Sequence, residues 1–253
     1  ARTLIGEDAG VLAEPNDILG VEYCKALLQS DSTITPLAME RRAVGHNEGA
    51  AGGFASASYI RVLLAGGEDA SAFLTAESAA IYARECAAGR APVTMKGAER
   101  AMLSRLRMLE EADFARYDSG GEGLYRRFYA AVRTAASVDE LLGTVKTKRY
   151  AYARLRRMLL AAYLDIAAAE LPQEIPYLRV LACNERGRML LRAIKNEGSA
   201  PVLTKSADVR SLSEEAQRLF ALSARACDQY VLAYPELRAA KGGGAWTQGP
   251  VIV

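Results

Sequence analysis

The chain has 253 residues, of which 51% are hydrophobic and 25% charged, with 32 Lys and Arg against 30 Asp and Glu. That balance excludes a disordered polyelectrolyte and a fibrous chain, and the length suffices for one large domain or two modest ones. A formal net charge of +2 puts any affinity for nucleic acid in a local patch, because the field of the whole molecule is too weak to supply it.

Cys24, Cys86, Cys183 and Cys227 form no CxxC pair, the pattern of reduced thiols and not of a zinc site or disulfide framework. No apolar run approaches the roughly 18 residues that cross a bilayer, and the N-terminus lacks the charged-then-apolar order of a signal peptide. The expected compartment is the cytoplasm, with no membrane partner. The chain opens at Ala1-Arg2-Thr3-Leu4 without a cap or turn signal, as expected of a truncated or cleaved protein that starts inside an element.

In chain order, Pro15-Asn16-Asp17 signals a helix from Ile18 to Gln29. Thr33 to Met39 is β-leaning, with Pro36 tolerable at an edge or strand start. Glu40 to Phe54 is a glycine-rich surface loop carrying Arg41, Arg42 and His46. Ser56-Ala57-Ser58 then caps a short helix through Leu64 that stops at Gly66-Gly67.

Helices are expected over Thr75 to Ala88, Thr94 to Ala112, Leu124 to Ala135, Ser137 to Gly143 and Tyr150 to Ala168. The breaks fall at Gly89 to Pro92 and Ser119 to Gly121, and Ser137-x-x-Glu140 has the form of a capping box. After Pro172 a strand over Tyr177 to Ala182, a helix over Glu185 to Lys195 and a strand over Pro201 to Thr204 predict a small βαβ unit. A last helix follows Ser211-x-x-Glu214 and runs toward Tyr230, and the tail from Gly242 to Val253 is expected to be irregular. The fold class is therefore mainly α with minor β.

Two features bear on chemistry. From Lys146 to Arg157 there are six basic residues, Lys146, Lys148, Arg149, Arg154, Arg156 and Arg157, and no acid. At helical spacing Leu155, Met158, Leu159 and Ala162 gather on one face, while Arg149, Arg154, Arg156 and Arg157 spread over the other. Such a helix is either a solvated face or a phosphate-binding one, with Tyr150 or Tyr152 offering a stacking surface for an unpaired base. The lack of any acid in the run tilts the reading toward binding. The second feature is Ser56-Ala57-Ser58-Tyr59-Ile60-Arg61, a helix start whose free N–H groups suit a phosphate, with Arg61 or Arg41 to neutralise charge. Its plain alternative is an ordinary serine cap followed by an arginine. His46 has no nucleophile partner recognisable in sequence and is left out of catalysis. No GxGxxG, Walker loop, paired-carboxylate motif or metal-ligand spacing occurs.

Pro15-Asn16-Asp17-Ile18-Leu19-Gly20-Val21-Glu22-Tyr23, the loop from Arg41-Arg42 to His46-Asn47-Glu48, Ser56 to Arg61, and Lys146 through Met158 occur in this order and at similar spacing in the bacterial tRNA(Met) cytidine acetate ligases. Pro176 to Leu181 and Pro201-Val202-Leu203 resemble a fifth block. The resemblance implies activation of acetate with ATP, together with Mg2+, as acetyl-adenylate. It further implies transfer of the acetyl group to N4 of the wobble cytidine of elongator tRNA(Met), with no structural metal. It implies that residues 1–70 are the C-terminal part of a nucleotidyltransferase-like α/β domain, and that 71–253 are a helical tRNA-binding domain with a small α/β unit. Asn16, Arg41 and Arg42 match positions that contact ATP, and Ser56, Ser58 and Arg61 match the second phosphate-side motif. The basic helix, through Lys146, Lys148, Arg149, Tyr152, Arg154, Arg156 and Arg157, would present tRNA. The His-x-Gly-His motif of the family is absent from this sequence, and Gly45-His46-Asn47-Glu48 stands where the family tends to have Gly-Tyr-His-Asp. The leading expectation is thus a ligase fragment inactive on its own, and the alternative is a non-catalytic tRNA-binding module or split subunit.

Overall fold

A computed structural model describes residues 6–12, 15–39, 49–118 and 120–253. The chain divides into two compact units, 1–80 and 81–253.

In the first unit a 3-10 helix, Gly6–Leu12, precedes α1, Pro15–Gln29. Helix α1 begins at the proline itself, a residue whose fixed φ and missing N–H suit a first helical position. The expected strand over Thr33 to Met39 does not form: these residues are exposed and have no regular structure. Pro36 removes a donor, and no strand among the described residues lies alongside to pair with them. The glycine-rich loop instead ends in a hairpin, β1 (Ala50–Ala51) antiparallel to β2 (Phe54–Ala55). Gly52 and Gly53 both take left-handed φ, 57° and 79°, as a two-residue hairpin turn requires. Helix α2, Ala57–Gly66, starts at the predicted cap, where Ser56 Oγ accepts from Tyr59 N–H. It stops at Gly67, whose φ of 77° lets its N–H return to Leu63 and Leu64 carbonyls. Helix α3, Ala76–Ala87, begins in this unit and continues into the second.

The second unit has a helical core formed by α4 (Glu99–Arg107), α5 (Glu111–Ala115), α6 (Leu124–Thr134), α7 (Val138–Val145) and α8 (Tyr152–Leu164). Leu106, Phe114, Leu124, Phe128, Val132, Leu141, Val145, Leu155 and Leu159 are wholly buried within it. The single helix expected over Thr94 to Ala112 is two. Glu110 and Asp113 form a reciprocal capping box that starts α5 afresh. Arg133 from α6 donates to the Arg107 and Leu109 carbonyls at the end of α4, and Arg107 in turn donates to the Val132 and Ala135 carbonyls at the end of α6. Each guanidinium thus satisfies carbonyls that the other helix end leaves free. Of the predicted capping box at α7, Ser137 Oγ accepts from Glu140 N–H, but Glu140 takes the Ala136 N–H and not that of Ser137.

The βαβ unit is present: β3 (Leu178–Arg179) runs parallel to β5 (Val202–Leu203), with α9 (Glu185–Glu197) between them in sequence. The expected strand over Tyr177 to Ala182 is divided, because β4 (Ala182–Cys183) pairs in parallel with β6 (Val251–Ile252). The tail is therefore ordered, contrary to expectation. Its helix α11, Gly244–Thr247, brings Trp246 edge-on to Phe220 with ring centroids 4.7 Å apart. Helix α10, Glu214–Tyr230, is capped by Ser213 and not by Ser211, whose hydroxyl donates to the Asp208 carbonyl. The fold is mainly α with minor β. No helix among the described residues is long and apolar enough to cross a membrane.

Candidate RNA-binding face and nucleotide-side segment

The basic run falls on two local structures. Lys146 ends α7, and Thr147 and Tyr150 bridge to each other, so Lys148 and Arg149 sit at the tip of a tight turn. Helix α8 then begins at Tyr152. Leu155, Met158, Leu159 and Ala162 are buried, as the helical period predicts, while Lys148, Arg149, Arg156 and Arg157 are exposed. The two tyrosines separate. Tyr150 is buried in the core beneath the Arg154 guanidinium, 5.1 Å from its ring centre. Tyr152 is about half exposed and lies between Lys146 and Arg156, at 5.4 and 5.8 Å. Of the pair, only Tyr152 presents a ring to solvent on which a base can stack.

The expectation that no acid neutralises the run is corrected by two carboxylates from the loop between α5 and α6. Glu122 Oε1 lies 2.8 Å from Arg149 Nη2, and its Oε2 lies 3.2 Å from Arg154 Nη1. Asp118 Oδ1 lies 3.2 Å from Arg154 Nη2. The Asp118 side chain is only 2% exposed, and it also accepts the N–H groups of Gly120 and Tyr125. Arg154 is thus a half-buried fastening between the loop and α8, its guanidinium already engaged by two carboxylates. Hydrogen bonds from Arg149 and then Arg154 hold the Glu122 carboxyl below the usual carboxylate range, and Glu122 raises Arg149 in return. A Cβ at Gly120 would run into the Arg154 guanidinium and force that side chain to shift. Sequence periodicity misses these acids because they lie 27 to 36 positions before their partners. The available signal is the unusual string Asp118-Ser119-Gly120-Gly121-Glu122-Gly123, two acids set among three glycines.

Among the described residues, Lys148, Arg156 and Arg157 have no carboxylate partner. Lys146 is half-buried and donates to the Thr147 carbonyl at 2.6 Å. Arg127, on α6, donates to the Thr144 carbonyl near the end of α7.

In the first unit Ser56 is buried and its hydroxyl is committed to the Tyr59 N–H, so it acts as the helix cap. Ser58 is half-buried, and Arg61 and Asn16 are exposed. Arg41, Arg42 and His46 lie outside the described residues.

The family model described as HIGH Nucleotidyl Transferase matches residues 2–243. The chain belongs to the HIGH nucleotidyl transferase family. The match takes in both the α2 segment and the basic helix. The chain is 34% identical over 225 residues to the tRNA(Met) cytidine acetate ligase of Fervidobacterium nodosum, covering 86% of this chain and 53% of that protein. It is 30% identical over 259 residues to that of Acetivibrio thermocellus, covering 96% and 62%. The crystal structure of apo Thermotoga maritima TmcAL superposes with a TM-score of 0.91 at 25% identity, over 98% of this chain and 62% of that one. The same protein bound with alpha-thio ATP superposes with a TM-score of 0.89. The chain therefore spans between about half and three-fifths of the length of these relatives.

Proposed function

We propose that the protein serves ATP-dependent acetylation of tRNA(Met). An acetate oxygen attacks the α-phosphorus of ATP, the bond to pyrophosphate breaks, and acetyl-adenylate forms. The N4 amine of the wobble cytidine then attacks the acetyl carbonyl, loses a proton, and AMP leaves. In this reading residues 1–70 contribute to the ATP site, with Asn16, Arg41, Arg42, Ser58 and Arg61 toward MgATP and Ser56 fixing the helix start between them. Residues 71–253 bind tRNA. In-line displacement at phosphorus needs positioned cations and N–H donors more than a protein nucleophile, and the chain offers the former.

The observation that carries the reading is the exposed cationic set Lys148, Arg149, Arg156 and Arg157 flanking an exposed Tyr152, on a chain whose curated relatives are tRNA(Met) cytidine acetate ligases. In this reading the residues have unequal parts: Lys148, Arg156 and Arg157 face phosphates directly, Tyr152 stacks, Lys146 shapes the surface, and Arg154 is held by the acids of the glycine loop. Because the His-x-Gly-His motif is absent from the sequence, the 253-residue chain is expected to bind tRNA without consuming ATP.

The test compares the chain with its Lys148→Ala/Arg156→Ala/Arg157→Ala variant in equilibrium binding to tRNA(Met), with acetate-dependent ATP consumption followed in parallel. Removing about three phosphate contacts should lower affinity at least tenfold at low salt. An unchanged affinity would refute the assignment of this face. ATP consumption by the chain alone would refute its dependence on the missing motif.

A further inference from the structure

Glu122 sits where an anion is wanted, yet it comes from the protein itself. We propose that its carboxylate occupies a phosphodiester subsite between Arg149 and Arg154, and that an RNA phosphate takes its place on binding. The inference rests on the assignment of the basic face to RNA.

The geometry is that of a surrogate. One carboxylate oxygen meets each guanidinium, at 2.8 Å on Arg149 and 3.2 Å on Arg154, as the two non-bridging oxygens of a phosphodiester would. The two arginines differ in what holds them. Arg154 stays in position without Glu122, because the buried Asp118 carboxylate binds its other nitrogen and the Tyr150 ring lies beneath it. The side chain of Arg149 is 65% exposed, and Glu122 is its one carboxylate partner among the described residues. One wall of the subsite is therefore fixed and the other adapts.

Glu122 itself can leave. It is flanked by Gly121 and Gly123, both in left-handed φ, at 61° and 76°, with open space beside them. Backbone rotation at such positions is less restricted than at any other residue. Its side chain is one-third exposed, so the subsite opens to solvent. Asp118, bound to the Gly120 and Tyr125 N–H groups, keeps the base of the loop in place as the tip moves. The carboxylate is held ionised by the two arginines, so displacing it requires an anion with further contacts nearby. RNA has them, since Lys148 neighbours Arg149 at the turn, whereas free phosphate does not. The effect is discrimination: the internal acid screens the cationic pair against isolated small anions and yields to a polyanion.

The experiment measures tRNA(Met) affinity at two salt concentrations for the full chain, Glu122→Gln, Glu122→Ala, Arg149→Ala and Glu122→Gln/Arg149→Ala, with thermal melts reporting folding. Inorganic phosphate serves as the small-anion probe. Removing the internal competitor should raise tRNA affinity roughly three- to tenfold and steepen the salt dependence by about one ion. The gain should vanish in the double variant. Glu122→Gln and Glu122→Ala binding tRNA no better than the parent, while Lys148→Ala/Arg156→Ala/Arg157→Ala still binds worse, would overturn the subsite and leave the RNA face standing. If that triple variant binds like the parent, the RNA face falls and the subsite with it. A gain for inorganic phosphate without one for tRNA would also overturn the RNA assignment.

Discussion

Replacing Asp118 by alanine tests whether the loop before α6 and the start of α8 are one fastened unit. The wild-type carboxylate accepts from Arg154 at 3.2 Å, from Tyr125 N–H at 3.3 Å and from Gly120 N–H at 3.2 Å. All three bonds are on the long side, which argues for the lower end of each range. The charge-assisted bond to Arg154 is then worth about 1.5 kcal/mol. Loss of the acceptor for Tyr125 N–H resembles loss of a helix cap, about 1 kcal/mol, because Gly123 at the start of α6 caps nothing with a side chain. The Gly120 bond adds about 0.5 kcal/mol. Arg154 keeps Glu122, so the full penalty of a stranded buried charge does not apply. The sum is about 3 kcal/mol, which for a protein of this size shifts the melting midpoint by roughly 6–12 °C. Urea denaturation of wild type, Asp118→Ala and Asp118→Asn measures it, with the asparagine variant expected to recover about 1 kcal/mol by keeping an acceptor. A loss under about 0.5 kcal/mol in the alanine variant, the size of an ordinary surface substitution, would refute the reasoning.

Other consequences follow from the same structure. Arg133→Ala leaves the Arg107 and Leu109 carbonyls without their donor and should cost about 2 kcal/mol in chemical denaturation, whereas Arg133→Lys, which cannot fork between two carbonyls, should recover less than half of it. Tyr117 donates to Asp165 at 2.6 Å; burial first, then that bond, pushes the phenol up to about 12, and the bond pulls the Asp165 carboxyl below its usual 3.8. The Tyr117 contribution is fully present below pH 10 and lost toward pH 12, and the Asp165 contribution is present above pH 3.8 and lost as pH falls further. Tyr117→Phe should therefore flatten the stability profile on both limbs, and an unchanged profile would contradict the coupling. Tyr152→Ala should weaken binding of an unpaired tRNA segment about tenfold with an unchanged melt, and Tyr150→Ala should lower the melt because its ring is in the core.

Much of this architecture is legible in the sequence because its causes are local. Ser56, Gly67 and Ser137 announce helix ends through their own side chains and φ angles, and the βαβ unit reads from a change of period after Pro172. The failures share a different cause. The break after Arg107 has a local part, the Glu110–Asp113 box, but the α4 end is satisfied by Arg133, a residue on another helix. The division of Tyr177 to Ala182 into two strands depends on β6 at the far end of the chain, which also orders a tail that looks irregular on composition. The basic helix is legible as a face, but its charge balance is not, because Asp118 and Glu122 come to it through the fold of a glycine loop. The resemblance carried by the ordered sequence blocks agrees with the family that the comparisons show.

The central claim is that the turn at Lys148-Arg149 and the exposed side of α8 bind tRNA through phosphates. Titration of tRNA(Met) into the 253-residue chain over a series of salt concentrations tests it most directly. With about four phosphates engaged, log affinity should fall against log salt with a slope near −3, roughly a sixtyfold loss for a fourfold rise in salt. An absence of binding at low salt, or an affinity that salt leaves unchanged, would contradict it.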